Sequence, residues 1–231
     1  MPNTNRIIPK TLILAYISVF ASLNVLADAI PFTPILGIPE ASFRLGWILS
    51  PLTGILLGAE IGGISCLIAG LIELLYQPLT FGPFTPLRSA VSASIAGMLA
   101  SNNWYVPAAS LFTLIIIWIV LPIGKEAYMI LLFHVVGLAM ILLFRGNIAE
   151  FIRSEDPKKT FLGLFFAAYS GNISRHLFGN ILSATLLNMP VAFFLASIPF
   201  TFVEQLVFAV GATIIGISLN RLHLRELIKK I

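Results

Sequence analysis

Residues Phe43 to Tyr76 read FRLGWILSPLTGILLGAEIGGISCLIAGLIELLY, with only Arg44, Glu60 and Glu73 charged. Two apolar runs flank the short break Gly58–Ala59–Glu60. Such runs approach the length of about twenty residues that crosses a ~30 Å hydrocarbon core. The break is too short for a loop between separate domains. It reads as a tight turn between two antiparallel membrane helices.

The rest of the chain repeats this pattern. Apolar residues make up 58% of the 231 residues and charged residues 10%, where soluble domains carry about 25% charge. Eight apolar segments stand out, at about 11–30, 43–58, 60–77, 87–101, 104–122, 126–145, 161–187 and 200–220. The fourth, LRSAVSASIAGMLAS, is rich in small residues and suits close helix packing. It and the fifth can also be read as one broken element. The fold class expected is an all-α polytopic membrane protein, one integral domain over 1–231 with about six to eight transmembrane helices.

Charge sets the expected orientation. Arg6, Lys10, Arg145, Arg153, Lys158, Lys159, Arg221, Arg225, Lys229 and Lys230 fall to one side, and Arg44, Arg88 and Lys125 to the other. The basic excess marks the cytoplasmic side. Both termini are therefore expected inside, in the plasma membrane. The net charge of +4 then belongs to loops and tails, and a nucleic-acid partner is not expected. Arg6 and Lys10 before the first run, with ADA at 27–29, also allow a signal-peptide reading of that segment. The lone Cys66 has no partner for an internal disulfide or a metal site, and no metal or cofactor is expected.

On the expected outer side the tripeptide PFT occurs at 31–33, 83–85 and 199–201. As helix-start chemistry, Thr85 would cap a helix with Pro86 in its first turn, and Thr201 with Glu204 would form a capping box. Alternatively Phe32, Phe84 and Phe200 close over an outer mouth, with the proline-stiffened loop IPFTPILGIPEASFR (30–44) as a lid. Asp28, Glu40, Arg44, Glu73 and Arg88 share this rim, where charges cost less than at the bilayer centre. They read as interface residues, with Arg44 and Arg88 the better candidates for contact with a ligand.

The seventh segment carries YSGNISRHLFGNILS (169–183). At helical spacing, Asn172, Arg175, His176, Gly179, Asn180 and Ser183 share a face with Tyr169 at its edge. A central arginine costs about 2.5–3.5 kcal/mol to insert, and guanidinium stays protonated. Arg175 thus needs a carboxylate, backbone carbonyls, water or an anionic ligand. His134, alone in LLFHVVG, reads as a hydrogen-bonded core histidine. H-E-x-x-H, G-x-S-x-G and P-loop patterns do not occur, so an enzyme is not expected, although His176 and Asn180 at i, i+4 leave an intramembrane hydrolase as a minor alternative.

Pro51, Gly54, Gly58, Gly62, Gly63, Gly70 and Glu73, with Gly97 in the fourth segment, carry a family resemblance. Over residues 11–101 the chain resembles the substrate-binding S components of energy-coupling factor (ECF) transporters. Residues 104–145 would be additional helices in that six-helix family, and 161–220 its C-terminal helices. The resemblance implies capture of a vitamin-like small molecule for uptake, with a transmembrane coupling protein and two ATPase subunits as partners. Tyr169, Asn172, Arg175, His176, Asn180 and Ser183 would line the cavity. Ser18 and Ser22 stand nearest to the family's Ala-x-x-x-Ala docking surface. The competing reading is a structural or assembly subunit of a membrane complex.

Overall fold

The computed structural model describes residues 9–34, 42–76 and 82–221. Arg6, Glu40, His223, Arg225, Lys229 and Lys230, together with residues 35–41 of the expected lid, lie outside them. Ten helices follow one another: α1 (Lys10–Asp28), α2 (Gly46–Leu57), α3 (Ala59–Tyr76), α4 (Thr85–Ala100), α5 (Tyr105–Val120), α6 (Pro122–Glu126), α7 (Leu131–Phe144), α8 (Asn147–Arg153), α9 (Pro157–Thr185) and α10 (Val191–Arg221). Among the described residues the only other regular element besides helices is a two-stranded antiparallel hairpin between α1 and α2. Its strands are β1 (Pro31–Pro34) and β2 (Ser42–Arg44).

Among the described residues, three helices are long and apolar enough to cross a membrane: α1, α3 and α10. A fourth crossing results if the segment ending in α7 is joined to α8, which bends away from it by 80°. The helices α2 and α5 are apolar but shorter. The expected segment boundaries agree with the helices to within a few residues over most of the chain. The fourth and fifth segments are separate helices, broken where Asn102 takes a positive φ of 66°.

The turn at Gly58 is as tight as the sequence suggests. Gly58 adopts φ 82°, ψ 171°, a region open almost solely to glycine, and α3 begins at the next residue. Its sharpness folds α2 and α3 back together. Gly54 then lies directly against the Ala93 carbonyl of α4, and Gly62 of α3 packs on Gly54. With no side chains between the backbones, three helices meet at van der Waals contact, as in small-residue membrane interfaces. The helix α9 runs through the centre of the protein and packs on α2, α4, α5, α7, α8 and α10. Its start is capped by Asp156, whose side chain accepts from the Lys158 amide at 2.9 Å, with Pro157 in the first turn.

The helix-start reading of PFT holds in part at 83–85, where α4 begins at Thr85, and fails at the other two places. At 31–33 the residues are strand. At 83–85 Phe84, not Thr85, holds the cap position, and it makes no side-chain cap bond, while Pro86 does sit in the first turn. At 199–201 the helix is already under way, because α10 starts at Val191 and carries Pro199 inside it. Thr201 and Glu204 are therefore not a capping box; they are buried mid-helix residues, 2% and 7% exposed.

Gly54→Ala should destabilise the protein by about 1–3 kcal/mol, the usual cost of overpacking, because the new methyl must displace the Ala93 backbone. Thermal unfolding in detergent checks this.

Candidate functional site

From Phe166 to Leu177 every residue of α9 is buried. The polar stripe is therefore not one face of an amphipathic helix. Neighbouring positions lie 100° apart, and different neighbours receive them.

Arg175 and Asn172 point to α2 and α4. The Arg175 guanidinium carbon lies 3.9 Å from the centroid of the Trp47 ring on α2, a cation–π arrangement. The Arg88 guanidinium carbon, from α4, lies 5.6 Å from the same ring. Gly179 leaves room for it, since a Cβ there would run into the Arg88 guanidinium. One turn away, Asn172 Oδ1 accepts from the Ser92 hydroxyl at 3.1 Å.

Arg175 is 1% exposed, and its Nε, Nη1 and Nη2 have no hydrogen-bond partner. The Trp47 ring attracts the cation yet satisfies none of those donors. Two carboxylates stand in electrostatic reach of Arg175: Asp28 at the end of α1 and Glu73 near the end of α3. Each keeps one oxygen without a donor, Oδ1 of Asp28 and Oε2 of Glu73. Asp28 presses on Gly46, the residue before Trp47, so closely that a Cβ there would collide with its carboxylate. Arg44, at the end of β2, interacts electrostatically with both acids. Asp28, Arg44, Glu73 and Arg88 are thus not rim residues facing water. They are 2%, 8%, 1% and 6% exposed, and with Arg175 they form one buried charged patch at the ends of four helices and a strand.

His176 points the other way, to α7 and α10. His134 Nδ1 lies 2.8 Å from the Ile130 carbonyl. A carbonyl only accepts, so Nδ1 carries the proton and, in a neutral ring, Nε2 accepts. His176 Nδ1, 3.2 Å away, donates to it. His176 Nε2 is then an acceptor, with the Thr201 hydroxyl at 3.5 Å. Asn180 reaches the same Nδ1 of His176 at 3.4 Å, and satisfies it only with the amide oxygen turned inward. The rings stack at 5.3 Å, 19° from parallel. His134 is a hydrogen-bonded core histidine, as its sequence context suggests, and its partner is His176.

The remaining sequence candidates are dispersed. The Tyr169 hydroxyl donates to the Phe133 carbonyl at 3.2 Å, on the α7 side of α9. Ser183 is buried near the end of α9, where its carbonyl accepts from the Met189 amide at 3.1 Å. Phe32 of the hairpin packs on Phe208 of α10 at 5.8 Å, and Phe208 packs edge-on to Trp47 at 5.7 Å. The hairpin thus enters the charged patch directly through Arg44 and touches its Trp47 side through Phe32 and Phe208. Phe84 is half-buried at the head of α4, and Phe200 is exposed. Ser18 and Ser22 are exposed on α1, with the Ser22 hydroxyl donating to the Ser18 carbonyl. Trp47 and Phe208 had no sequence signal to set them apart from other residues of apolar spans, whereas Gln205, buried on α10, stood out as a polar residue inside one. Asp28 and Glu73 did, as acids ending two spans on the same side as two arginines.

No described protein family and no solved structure matches the chain. It is similar to an uncharacterized protein of Methanocaldococcus jannaschii, 27% identical over 186 residues, which cover 78% of this chain and 63% of that protein. The matched stretch is thus less than two thirds of the relative's length.

A double-mutant cycle with Trp47→Leu and Arg175→Met should return a coupling of about 0.5–2 kcal/mol, read from thermal or denaturant unfolding in detergent. Nitrogen-15 chemical shifts of labelled imidazoles should show His134 and His176 as neutral rings protonated at Nδ1. A shift typical of protonated Nε2 on either ring contradicts the hydrogen-bond chain.

Proposed function

We propose that the chain is a membrane-embedded substrate-binding subunit that captures a small molecule for uptake, an S component of an ECF-type transporter. The observation that carries this reading is Arg175: a buried guanidinium with all three nitrogens unpartnered. Buried polar groups are as a rule hydrogen-bonded, and a structural subunit would hold this arginine in a closed ion pair. A ligand bearing an anionic or carbonyl-rich group answers the unmet donors. Aromatic walls beside a few convergent polar groups are the ordinary composition of a ligand site.

The helix arrangement supports the reading further. The helices α1, α2, α3, α4, α9 and α10 are linked in one continuous set of packed pairs, the number of helices in that family. The helices α5 to α8 adjoin it through α4 and α9 and occupy the stretch the resemblance leaves as additional. On this reading the chain spans the plasma membrane six to eight times with both termini inside. The hairpin stands at the outer mouth, and exposed Ser18 and Ser22 lie on the helix that would meet a coupling protein associated with two ATPases. The ligand is a vitamin or similar heterocycle.

An intramembrane hydrolase is the second reading, favoured by the contact between His134 and His176. It ranks lower because all four ring nitrogens are already engaged, with Ile130, with each other and with Thr201. None is left to activate a water or hold a metal, so the chain is proposed as a non-enzyme.

Native mass spectrometry of the protein, gently extracted from its own host, tests the proposal. A co-purifying small molecule is expected in the wild type and is expected to be lost in Arg175→Met. A bare chain, or one carrying only protein partners without an ATPase, overturns it in favour of an assembly subunit.

A further inference from the structure

Resting on the binding reading above, we infer that the ligand is a small aminocarboxylate, with a carboxylate for Arg175 and an amino or ammonium donor for Asp28 and Glu73. The inference comes from the unmet hydrogen-bonding capacity on both sides of the charge. If the patch awaited an anion alone, only donors would be orphaned. Instead the orphans are of both kinds. The three Arg175 nitrogens lack acceptors, while Asp28 Oδ1 and Glu73 Oε2 lack donors. All three side chains are at least 98% buried.

These groups belong to one place. Asp28 lies against Gly46, and the next residue, Trp47, carries the Arg175 guanidinium on its ring at 3.9 Å. Glu73 interacts electrostatically with Asp28 and Arg175. Opposite charges so placed would normally close into hydrogen-bonded pairs, because leaving either member of a buried pair unsatisfied costs several kcal/mol. Trp47 holds the cation on its ring, and Gly46 gives the Asp28 carboxylate its seat beside the same tryptophan. The cation and the acids therefore leave unmet groups of both kinds in one patch. A carboxylate accepts two parallel bonds from a guanidinium fork, and an ammonium has three donors to share between two acids. An aminocarboxylate supplies both, and an amino acid, as a zwitterion, does so without changing the charge balance of the patch. Among the described residues no three His, Cys, Asp or Glu side chains are grouped to hold a metal ion.

The test is a thermal-shift series on the full chain in detergent. One probe set is the free L-amino acids with aminobenzoates. A second holds the same compounds without the amino group, and a third the same without the carboxylate. At least one aminocarboxylate should raise the melting temperature, with both truncated analogues weaker by about tenfold or more. Asp28→Asn should weaken the aminocarboxylate and not its deaminated analogue; Glu73→Gln answers the same question if Asp28→Asn does not fold. Equal binding of the deaminated acid, or stabilisation by amines alone, overturns the inference and leaves the binding reading standing. No shift from any set, together with no retained small molecule in native mass spectrometry, overturns both. A retained molecule lacking either group overturns the inference alone.

Discussion

A guanidinium that can neither shed its charge nor reach water dominates this protein. Arg175 sits in the helix that every major neighbour touches, so its surroundings must be built to tolerate it. Two devices do so. Trp47 offers a ring face, and the acids Asp28 and Glu73 lower the local potential, against the repulsion of Arg88, which is seated at Gly179. The three favourable side chains come from three different helices, and with Arg88 on α4 their convergence needs α1, α2, α3 and α4 to end at the same level around α9. The tight turn at Gly58 and the bare contact of Gly54 with Ala93 secure that level for three of them. The charge and the glycine packing are thus one problem: a wider spacing between α2 and α4 would move Trp47 relative to Arg175.

Much of this was legible in the sequence. Apolar length alone locates most of the helices, and the Gly58–Ala59–Glu60 break marks the sharpest turn. The polar residues of α9 announce themselves because charge inside an apolar run is costly. What periodicity could not show is that the stripe divides. Arg175 and His176 are adjacent in sequence, and only the identity of the neighbouring helices decides that one meets Trp47 and the other His134. The acids on the rim were visible as acids, but their burial depends on a hairpin and two helix ends that a one-dimensional reading cannot bring together. The misreading of Thr201 and Glu204 has a simpler cause. A proline followed by Thr-x-x-Glu is the pattern of a helix start, and here Pro199 is carried within a longer helix.

The histidine chain is separate from the charged patch, although both arise from α9. Its geometry is closed: each ring nitrogen has a partner, and the chain ends on a backbone carbonyl. It therefore ties α7, α9 and α10 together with directional bonds where the rest of that contact is apolar. The patch is open in the same sense that the chain is closed. That contrast, within two residues of one helix, is the clearest structural reason for assigning ligand contact to Arg175 and a fixing role to His176.

The all-round burial of α9 also bears on how the protein is made. This helix is not among those long and apolar enough to enter a bilayer on their own account, and Arg175 alone opposes partition into lipid. On the membrane reading, release of α9 into lipid as a single segment is opposed by about 2.5–3.5 kcal/mol for Arg175 alone. Leaving the insertion machinery against α2 and α4, or together with α10, which follows after a short connection, lessens that cost. Biogenesis would then be ordered by the chemistry of one helix: the segment that holds the site is the one whose insertion is eased by the rest being in place.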